Sequence, residues 1–301
     1  MSQRQLLGQV GIGLQLSPLD TAYQDFLLSR QAMPCTDATM QHYRYTAGVF
    51  VTWLQLQGVT DPKGVTAGHV RQWQAENAGR LKDTSQHARA RGVRTFLRFL
   101  HTEGTVPTLV KVQMPRLEKR RLPCLEADEV HRILKDCDAR KRAIVMLLAS
   151  SGVRAAELCN LTWGDLDMQT GLLFVHRGKG RKDRTTVVSP KARRALLRYR
   201  STLKSAPTAE SPLIQGRGGR RLAPCWLSHM VHQLGKRKGL YVTPHALRRT
   251  FAIQTLRGGM NVLALQRLLG HADLSMTQHS CQLLDEDLIR AHEKADLDSW
   301  L

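Results

Sequence analysis

The sequence has no long apolar segment and few acidic side chains. No stretch reaches the roughly 20 apolar residues that a membrane-spanning helix requires, and the N-terminal residues do not follow the pattern of a cleaved signal. We therefore expect no membrane association and a cytoplasmic location. The 301 residues include 25 Asp and Glu against 45 Lys and Arg, a formal net charge of +20. This excess favours a polyanionic partner, most often a nucleic acid, although a ribosomal or merely basic protein can carry the same charge.

Motifs that bind metals or cofactors are also missing. The six cysteines are scattered without a CxxC pair, which argues against a zinc site and is typical of reduced thiols in the cytoplasm. His229 and His232 lie three apart with no further ligand pair nearby, so we interpret them as ordinary histidines. There is no P-loop and no carboxylate cluster suited to Mg²⁺. We therefore expect neither a metal nor a cofactor.

The N-terminal part has the pattern of an α-helical bundle. Apolar side chains recur there at helical spacing, between residues that cap or end helices. The four predicted helices begin near Ser17, Thr36, Thr66 and Thr84, and the second and fourth end at Gly58 and Gly104. We predict that this bundle forms an N-terminal domain over residues 1–106.

Basic residues share one face of the fourth predicted helix. Arg91, Arg94 and Arg98 recur every three or four residues and so line up along it. Lys82 and Arg89 lie nearby in the sequence. With the large positive charge, this face is interpreted as a contact to a phosphate backbone. The alternative is a solvated basic face.

Residues 107–124 separate two differently patterned regions. They contain three prolines and five basic residues without a helical stripe, which predicts a linker that crosses a nucleic-acid backbone through Lys119, Arg120 and Arg121. Residues 125–301 are predicted to form a second domain of helices with one β-hairpin, formed by GLLFVH and RTTVVS around the turn RGKGRKD. From Pro190 onward the chain is predicted to be mostly helical. The predicted fold class is mainly α with a small β-sheet, in two domains.

Four motifs carry a family resemblance. They are SGVRAAELCNL at 151–161, RGKGRKDR at 177–184, TPHALRRTF at 243–251 and LLGHADLSMTQHS at 268–280. In this order and spacing they resemble the tyrosine recombinases of the phage integrase family, and the N-terminal helices resemble that family's core-binding domain. The resemblance implies a C-terminal mixed α/β catalytic domain. It also implies an enzyme that cuts and rejoins duplex DNA at a specific site by phosphoryl transfer.

The resemblance places six positions in the catalytic site: Arg154, Lys179, His245, Arg248, His271 and Ser280. Attack on a phosphodiester builds negative charge that preorganised cations offset. Arg154 and Arg248 supply planar guanidinium forks that fit two phosphate oxygens. His245 and His271 are suited to donate to the same oxygens or to manage the proton of the nucleophile. Lys179, on the hairpin, is expected to protonate the departing 5′ oxygen.

Several assignments within these motifs leave alternatives. Arg154 follows a Ser-Gly turn, where an arginine can also cap the preceding helix. Lys182 competes with Lys179 on the same turn, although Lys179 occupies the family's GKG position. Glu157 is expected to brace its helix, and Arg249 stands where the family often has a histidine, a departure we expect to be tolerated. The remaining basic residues are candidate DNA-backbone contacts or exposed basic turns: Arg181, Lys182, Arg217, Arg220 and Arg221.

The position of the nucleophile departs from the family pattern. The family's tyrosine lies nine residues after the last motif histidine, which here is Ser280 counted from His271. No tyrosine follows Tyr241, whose expected role is packing, and neither His279 nor Cys281 replaces the missing phenol. We therefore predict a chain that binds DNA but does not cleave it. Two explanations stay open, a deliberate Tyr-to-Ser change and a natural homologue retained for binding.

The C-terminal segment bears on assembly. Apolar residues between Leu283 and Leu301 interrupt an otherwise charged tail. The family resemblance implies docking of this tail on a neighbouring protomer, which gives a homotetramer on DNA; the alternative is a helix folded back on its own domain. Two other functions compete with recombination: a non-catalytic DNA-binding or architectural protein of the same fold, and a type IB topoisomerase-like enzyme. The N-terminal helices and the compact hairpin favour recombination.

Overall fold

The chain forms two compact units, Met1–Lys119 and Arg120–Leu301. The computed structural model describes residues 16–33, 35–117, 124–176 and 183–270. Within these ranges the chain is mainly helical with one two-stranded antiparallel sheet, which confirms the predicted fold class. The roles and bounds assigned to the two domains stay predictions.

Four helices form the first unit. They are α1 (Pro18–Ala32), α2 (Asp37–Leu56), α3 (Ala67–Asn77) and α4 (Asp83–Thr102), with a short 3-10 turn at Pro62–Gly64. Side-chain caps set three of the helix starts, since Ser17, Thr36 and Thr66 each accept a backbone N–H from the first turn. These starts lie within one or two residues of the predicted ones.

The core of the first unit is built from the predicted apolar stripes. Helix α2 packs against α4, and α1 contacts both. Phe26, Phe50 and Phe96 are fully buried, and the rings of Phe26 and Phe96 meet edge to face at 5.3 Å, an arrangement that aromatic rings favour. The amphipathic patterns of the sequence therefore predict which faces of these helices are buried.

The second unit surrounds one apolar helix. Its elements are α5 (Ala127–Lys135), α6 (Ala139–Ser151), α7 (Ala155–Asn160), β1 (Leu172–Val175), β2 (Arg184–Val187), α8 (Pro190–Arg200), α9 (Pro224–Lys236), α10 (Pro244–Arg257) and α11 (Val262–Leu269), with 3-10 turns at Trp163–Asp165 and Arg217–Gly219. Helix α6 packs against α8 and α10, so Ile144, Leu147 and Leu148 are completely buried. The hairpin pairs Leu172 with Val187 and Val175 with Arg184.

Residues 201–223 differ from the prediction. Apart from the 3-10 turn at Arg217–Gly219, this segment is not helical; it interrupts a region that is otherwise mostly helical, as expected, over the described residues after Pro190. Pro207 and Pro212 cannot donate backbone hydrogen bonds, and the glycines near the 3-10 turn favour turns. Isolated bridges hold the segment instead, including one between Gln215 and Arg221.

The described ranges contain no helix that is long and apolar enough to cross a bilayer. Within the same ranges, no group of three or more His, Cys, Asp or Glu side chains is arranged to hold a metal ion. The cysteines there are free thiols, namely Cys35, Cys124, Cys137, Cys159 and Cys225.

Candidate active site

The candidate site forms where α6, α7, α10 and α11 meet. Helix α6 ends at Ser151, and Gly152 reverses the chain with a φ of 63°, in the left-handed region that favours glycine. A Cβ on Gly152 would lie 2.5 Å from the ring of Phe251 on α10, so the packing also requires glycine. This tight turn leads two residues later to Arg154, the N-cap residue of α7.

Arg248 joins two helix ends. Its side chain is buried, with the residue 7% exposed, and its Nη1 donates to the Gly152 carbonyl while Nη2 donates to the Leu269 carbonyl at 2.6 Å. These carbonyls lie at the C-terminal ends of α6 and α11, where backbone acceptors lack helical partners and the helix dipole is negative. Burial, and next the charge of Arg154, lower the pKa of Arg248 to about 9. Arg248 therefore stays protonated at neutral pH.

Arg154 faces the same region but remains partly open to solvent. Its side chain is 19% exposed, and Nη1 donates to Glu157 Oε1 at 2.7 Å. In the part of the chain that the structure describes, Nε and Nη2 of Arg154 donate no hydrogen bond. The alternative in which Arg154 caps α6 does not fit these contacts, because the guanidinium bonds to Glu157 of α7. Arg154 thus keeps donors that an anionic ligand can use.

Glu157 is the buried carboxylate of the site. Its side chain is 7% exposed; it accepts the backbone N–H of Arg154 at 2.8 Å and a two-pronged contact from Arg184, whose Nη1 and Nη2 donate at 2.8 and 2.7 Å. Burial alone would raise the pKa of Glu157, but the hydrogen bonds from Arg184 and the Arg154 backbone lower it to about 2. Glu157 therefore stays ionised at neutral pH, and its constant negative charge holds Arg154 in position.

Sequence reasoning did not identify Arg184, the first residue of β2. The sequence alone carries no clear signal for it, because Thr and Val occur on both faces of this strand. The structure shows which face is buried, since side chains on alternate positions face the same side. Thr186 and Val188 are fully buried, so Arg184 lies on the buried side of this strand. A charged residue at such a position is rarely left without a partner, and this one pairs with Glu157.

The low pKa of Glu157 gives the first testable prediction. Its carboxylate stabilises the fold above the ordinary pKa of 4.5, and the contribution is lost as the pH falls from 4.5 towards about 2. The difference corresponds to a free energy of unfolding on the order of 3 kcal/mol. We expect Glu157→Gln to lower the free energy of unfolding at pH 7. The difference in this free energy between the variant and the unaltered protein should become smaller below pH 4.5. Denaturant titrations at several pH values measure it, with exposed Glu103→Gln as the control; a difference independent of pH would contradict this.

His245 lies one turn before Arg248 on α10. The residue is exposed, yet partial loss of hydration first, and then the charges of Arg248, Arg249 and Arg154, lower its pKa. His245 is therefore neutral at neutral pH, with one nitrogen able to donate and the other able to accept. Arg249 is half-buried beside it, and burial lowers the pKa of Arg249.

Three of the six predicted catalytic positions are described, and the structure brings them together: Arg154, His245 and Arg248. The other three, Lys179, His271 and Ser280, lie outside the described residues, as do the predicted DNA contacts Lys119, Arg120, Arg121, Arg181 and Lys182. Their roles stay predictions.

The predicted basic face of α4 is exposed along most of its length. Arg91, Arg94 and Arg98 all reach solvent, as does Lys82 at the N-cap. Arg89 differs, because it is half-buried and its Nη1 donates to Asn77 Oδ1 at 2.6 Å. Among the described residues, no comparable side-chain hydrogen bond holds the guanidinium groups of Arg91, Arg94 and Arg98.

A basic groove forms in the second unit around residues 216–226. It encloses about 860 Å³ and is lined by Arg140, Arg217, Arg220, Arg221 and Trp226. The Arg140 guanidinium lies 4.7 Å above the Trp226 ring, and Arg221 donates to the carbonyl of Asn160, the last residue of α7. Sequence reasoning found the three arginines of the turn but missed Arg140 and Trp226, which come from two separate helices.

Tyr241 lies on the surface and not in the core. It is 66% exposed, and its ring meets the ring of His232 with the centroids 5.5 Å apart. The expected packing role is thus limited to an exposed contact with one histidine.

Comparison with known proteins identifies the family. Residues 123–286 match the phage integrase family. The chain belongs to that family. Among its phage integrase relatives, tyrosine recombinase XerA of Thermococcus onnurineus (strain NA1) is 34% identical over 210 residues, 68% of this chain and 73% of its own length. Tyrosine recombinase XerC of Xanthomonas campestris pv. campestris (strain B100) is 30% identical over 267 residues, 85% of this chain and 82% of its own length.

A solved structure of similar fold is the Tn1549 transposon integrase in complex with a circular intermediate DNA. It superimposes with a TM-score of 0.71, covering 93% of this chain and 99% of that one. The sequences are 19% identical, so this likeness shows the fold alone. The family resemblance that rests on the four motifs is confirmed.

Proposed function

We propose that this phage integrase family member is a site-specific DNA recombinase that works by phosphoryl transfer, here in a form that binds DNA without cleaving it. The observation that carries the proposal is the pair Arg154 and Arg248 beside a neutral His245. One arginine is held rigidly by two backbone carbonyls, and the other keeps outward donors. This combination suits a single phosphodiester group.

The two arginines would act on the non-bridging oxygens of the scissile phosphate. Attack at phosphorus increases the charge on these oxygens, and fixed donors in a partly buried site stabilise that charge without reorganising. Arg154 offers a planar edge that fits a phosphate. Arg248 adds positive charge from a buried position behind the site. His245 adds a donor whose neutral state at pH 7 also allows it to accept a proton.

The remaining steps rest on positions outside the described residues. In the active form, a tyrosine at position 280 gives its proton to His245 as its oxygen attacks the phosphorus, and the bond from phosphorus to the 5′ oxygen breaks. Lys179 donates the proton that the 5′ oxygen needs, and His271 donates to the phosphate. The product is a 3′-phosphotyrosyl bond, which a 5′ hydroxyl from a second duplex then attacks, restoring a phosphodiester. One ester replaces another at each step, so no nucleotide cofactor is consumed.

Ser280 supports the proposal of a silent form. An aliphatic hydroxyl ionises far less readily than a phenol, whose pKa lies near 10, and a serine oxygen lies several ångströms closer to its backbone. The second candidate function, a non-catalytic DNA-binding or architectural protein of the same fold, is favoured by the same residue. Reading codon 280 in the source gene bears on this choice: a tyrosine codon supports a deliberate change, and a serine codon supports a natural binding protein.

DNA contacts outside the catalytic site are proposed on three surfaces. They are the α4 face, the basic linker and the groove lined by Arg140 and Trp226. Helix α7 spans about 9 Å at 1.5 Å per residue, and it connects Arg154 at one end to the Arg221 contact at the other. A homotetramer assembled on two duplexes through the C-terminal tail completes the proposal.

Binding of the unaltered chain to the junction DNA of its source element tests this function. Mobility shifts would compare a junction duplex with a scrambled duplex of the same composition at several salt concentrations. We expect the junction duplex to bind at least about a thousandfold more tightly. Arg94→Gln on the α4 face should weaken binding to both duplexes and reduce the salt slope by about one, with exposed Arg198→Gln on α8 as the control. Equal affinity for both duplexes would contradict the proposal.

A further inference from the structure

We propose that Arg184 is a positioning residue that ties the hairpin strand β2 to Arg154 and to the end of α11, so that these elements hold one fixed arrangement around the scissile phosphate. This inference rests on the proposed function. Arg184 does not reach the substrate in this account; it acts through Glu157 and through the backbone.

The contacts of Arg184 reach both neighbouring elements. Nη1 and Nη2 donate to the two oxygens of Glu157 at 2.8 and 2.7 Å, and Glu157 in turn holds Arg154 through its backbone N–H and its Nη1. The third nitrogen, Nε, donates to the carbonyl of Leu268 on α11 at 3.0 Å. A single guanidinium thus links α7, β2 and α11.

Burial makes this link specific. The side chains of Arg184 and Glu157 are only 8% and 7% exposed, and a buried ion pair that loses one partner leaves the other charge uncompensated. Lysine cannot replace the contacts, since its ammonium is a point charge without the planar fork. The strand is also fixed two residues later, where Thr186 Oγ1 donates to the carbonyl of Ser151 at 2.8 Å.

The turn at Gly270 also lies against the Arg184 side chain. Gly270 follows α11 with a φ of 63°, and a Cβ there would lie 2.5 Å from Cδ of Arg184. Glycine is therefore required both by the backbone conformation and by the close approach of Arg184. Gly270 immediately precedes His271 in the sequence, and the hairpin motif that contains Lys179 ends at Arg184.

These contacts connect three of the family's motifs at one residue. The first motif supplies Arg154 and Glu157, the hairpin motif ends in Arg184, and the last begins at Leu268. Arg184 sets the position of Arg154 from one side, and Arg248 fixes the same end of α11 from the other by its bond to Leu269. A shift of Arg184 would move groups that act on the same phosphate.

Hydrogen exchange of the unaltered chain and its variants tests the link without catalysis. We expect Arg184→Lys to speed amide exchange roughly tenfold in the segments 155–160 and 262–269, because a buried charged hydrogen bond is lost at both ends. Exposed Arg198→Gln on α8 should leave both segments unchanged. Exchange that rises in only one segment, or in neither, overturns the link. Arg184→Lys keeps the positive charge, so the variant removes the planar fork without leaving the buried Glu157 carboxylate uncompensated.

Cleavage by the Ser280→Tyr form tests the positioning role. In that background Arg184→Lys should lower the single-turnover cleavage rate on the order of a hundredfold, with DNA affinity changed by less than about threefold. The charges facing Glu157 are Arg154 of α7, Arg184 of β2 and Arg248 of α10, so losing the Arg184 fork should raise the pKa of Glu157. The cleavage rate relative to that of the Ser280→Tyr parent at the same pH should then fall further at acid pH, because a protonated Glu157 no longer holds Arg154.

The outcomes separate the two proposals. A parental rate and pH profile with Arg184→Lys would overturn the positioning role. If the Ser280→Tyr parent forms no covalent product, the proposed function fails, and the exchange experiment alone decides whether Arg184 links the three elements.

Discussion

Ser280→Tyr is expected to convert a chain that only binds DNA into one that forms a covalent protein–DNA product. The phenol reaches several ångströms further than the serine hydroxyl and is much easier to ionise. Since even a misplacement of about 1 Å costs on the order of a hundredfold in rate, the gain in cleavage should exceed that factor. The arginines that would receive the phosphate are already in place, because Arg248 is held by Gly152 and Leu269.

A suicide duplex, nicked just downstream of the scissile phosphate so that the short fragment with the free 5′ hydroxyl diffuses away, traps the product for gel analysis. Ser280→Phe is the matched control, because it has the ring of tyrosine without the hydroxyl. Product with Ser280→Tyr and none with Ser280→Phe or the unaltered chain is the expected result. Tight, specific binding without product in any of the three would contradict the enzyme and support the architectural function.

The second large effect is expected at Arg248. In the Ser280→Tyr background, Arg248→Lys removes a fork that serves two carbonyls and replaces it with a point charge. Loss of one preorganised donor to the transition state typically lowers the rate by roughly a hundredfold to a thousandfold, and we expect the cleavage rate to fall to this extent. The variant should also be less stable by about 1–3 kcal/mol, since a buried carbonyl loses its partner.

Arg154→Lys provides the matched comparison for Arg248→Lys. Arg154 is more exposed and bonds to no helix-end carbonyl among the described residues, so its replacement should lower cleavage to a similar degree with a stability change below about 1 kcal/mol. Single-turnover cleavage rates and thermal unfolding of both variants separate the effect on catalysis from the effect on stability. Equal destabilisation by the two substitutions would show that the structural roles assigned to the two arginines are wrong.

The helices were predictable because their signals are local. Ser17 and Thr36 cap helices in the described structure as their sequence context predicts. Phe26 and Phe96, on the apolar stripes of α1 and α4, are buried. Such signals need only the periodicity of one segment. The non-helical segment 201–223 was not predicted, because the helical patterns on both sides of it drew attention away from its prolines and glycines.

The site was predictable only in part, because its contacts are long-range. The proximity of Arg154 and Arg248, which are 94 positions apart in the sequence, came from the family resemblance and not from spacing. His245 and Arg248 are neighbours on one helix, which helical periodicity does predict. Arg184 pairs with Glu157 from another element, and Arg140 meets Trp226 in the same way, so no local pattern identified either pair.

The position of the covalent bond tests the central claim most directly. After reaction of the Ser280→Tyr form with a suicide duplex, proteolysis and mass spectrometry would locate the nucleotide on the protein, and end-labelled strands would show which DNA end is free. We expect the nucleotide on the peptide that contains position 280, joined through a 3′ phosphate, with a free 5′ hydroxyl on the DNA. Attachment at any other residue, or through a 5′ phosphate, would contradict it.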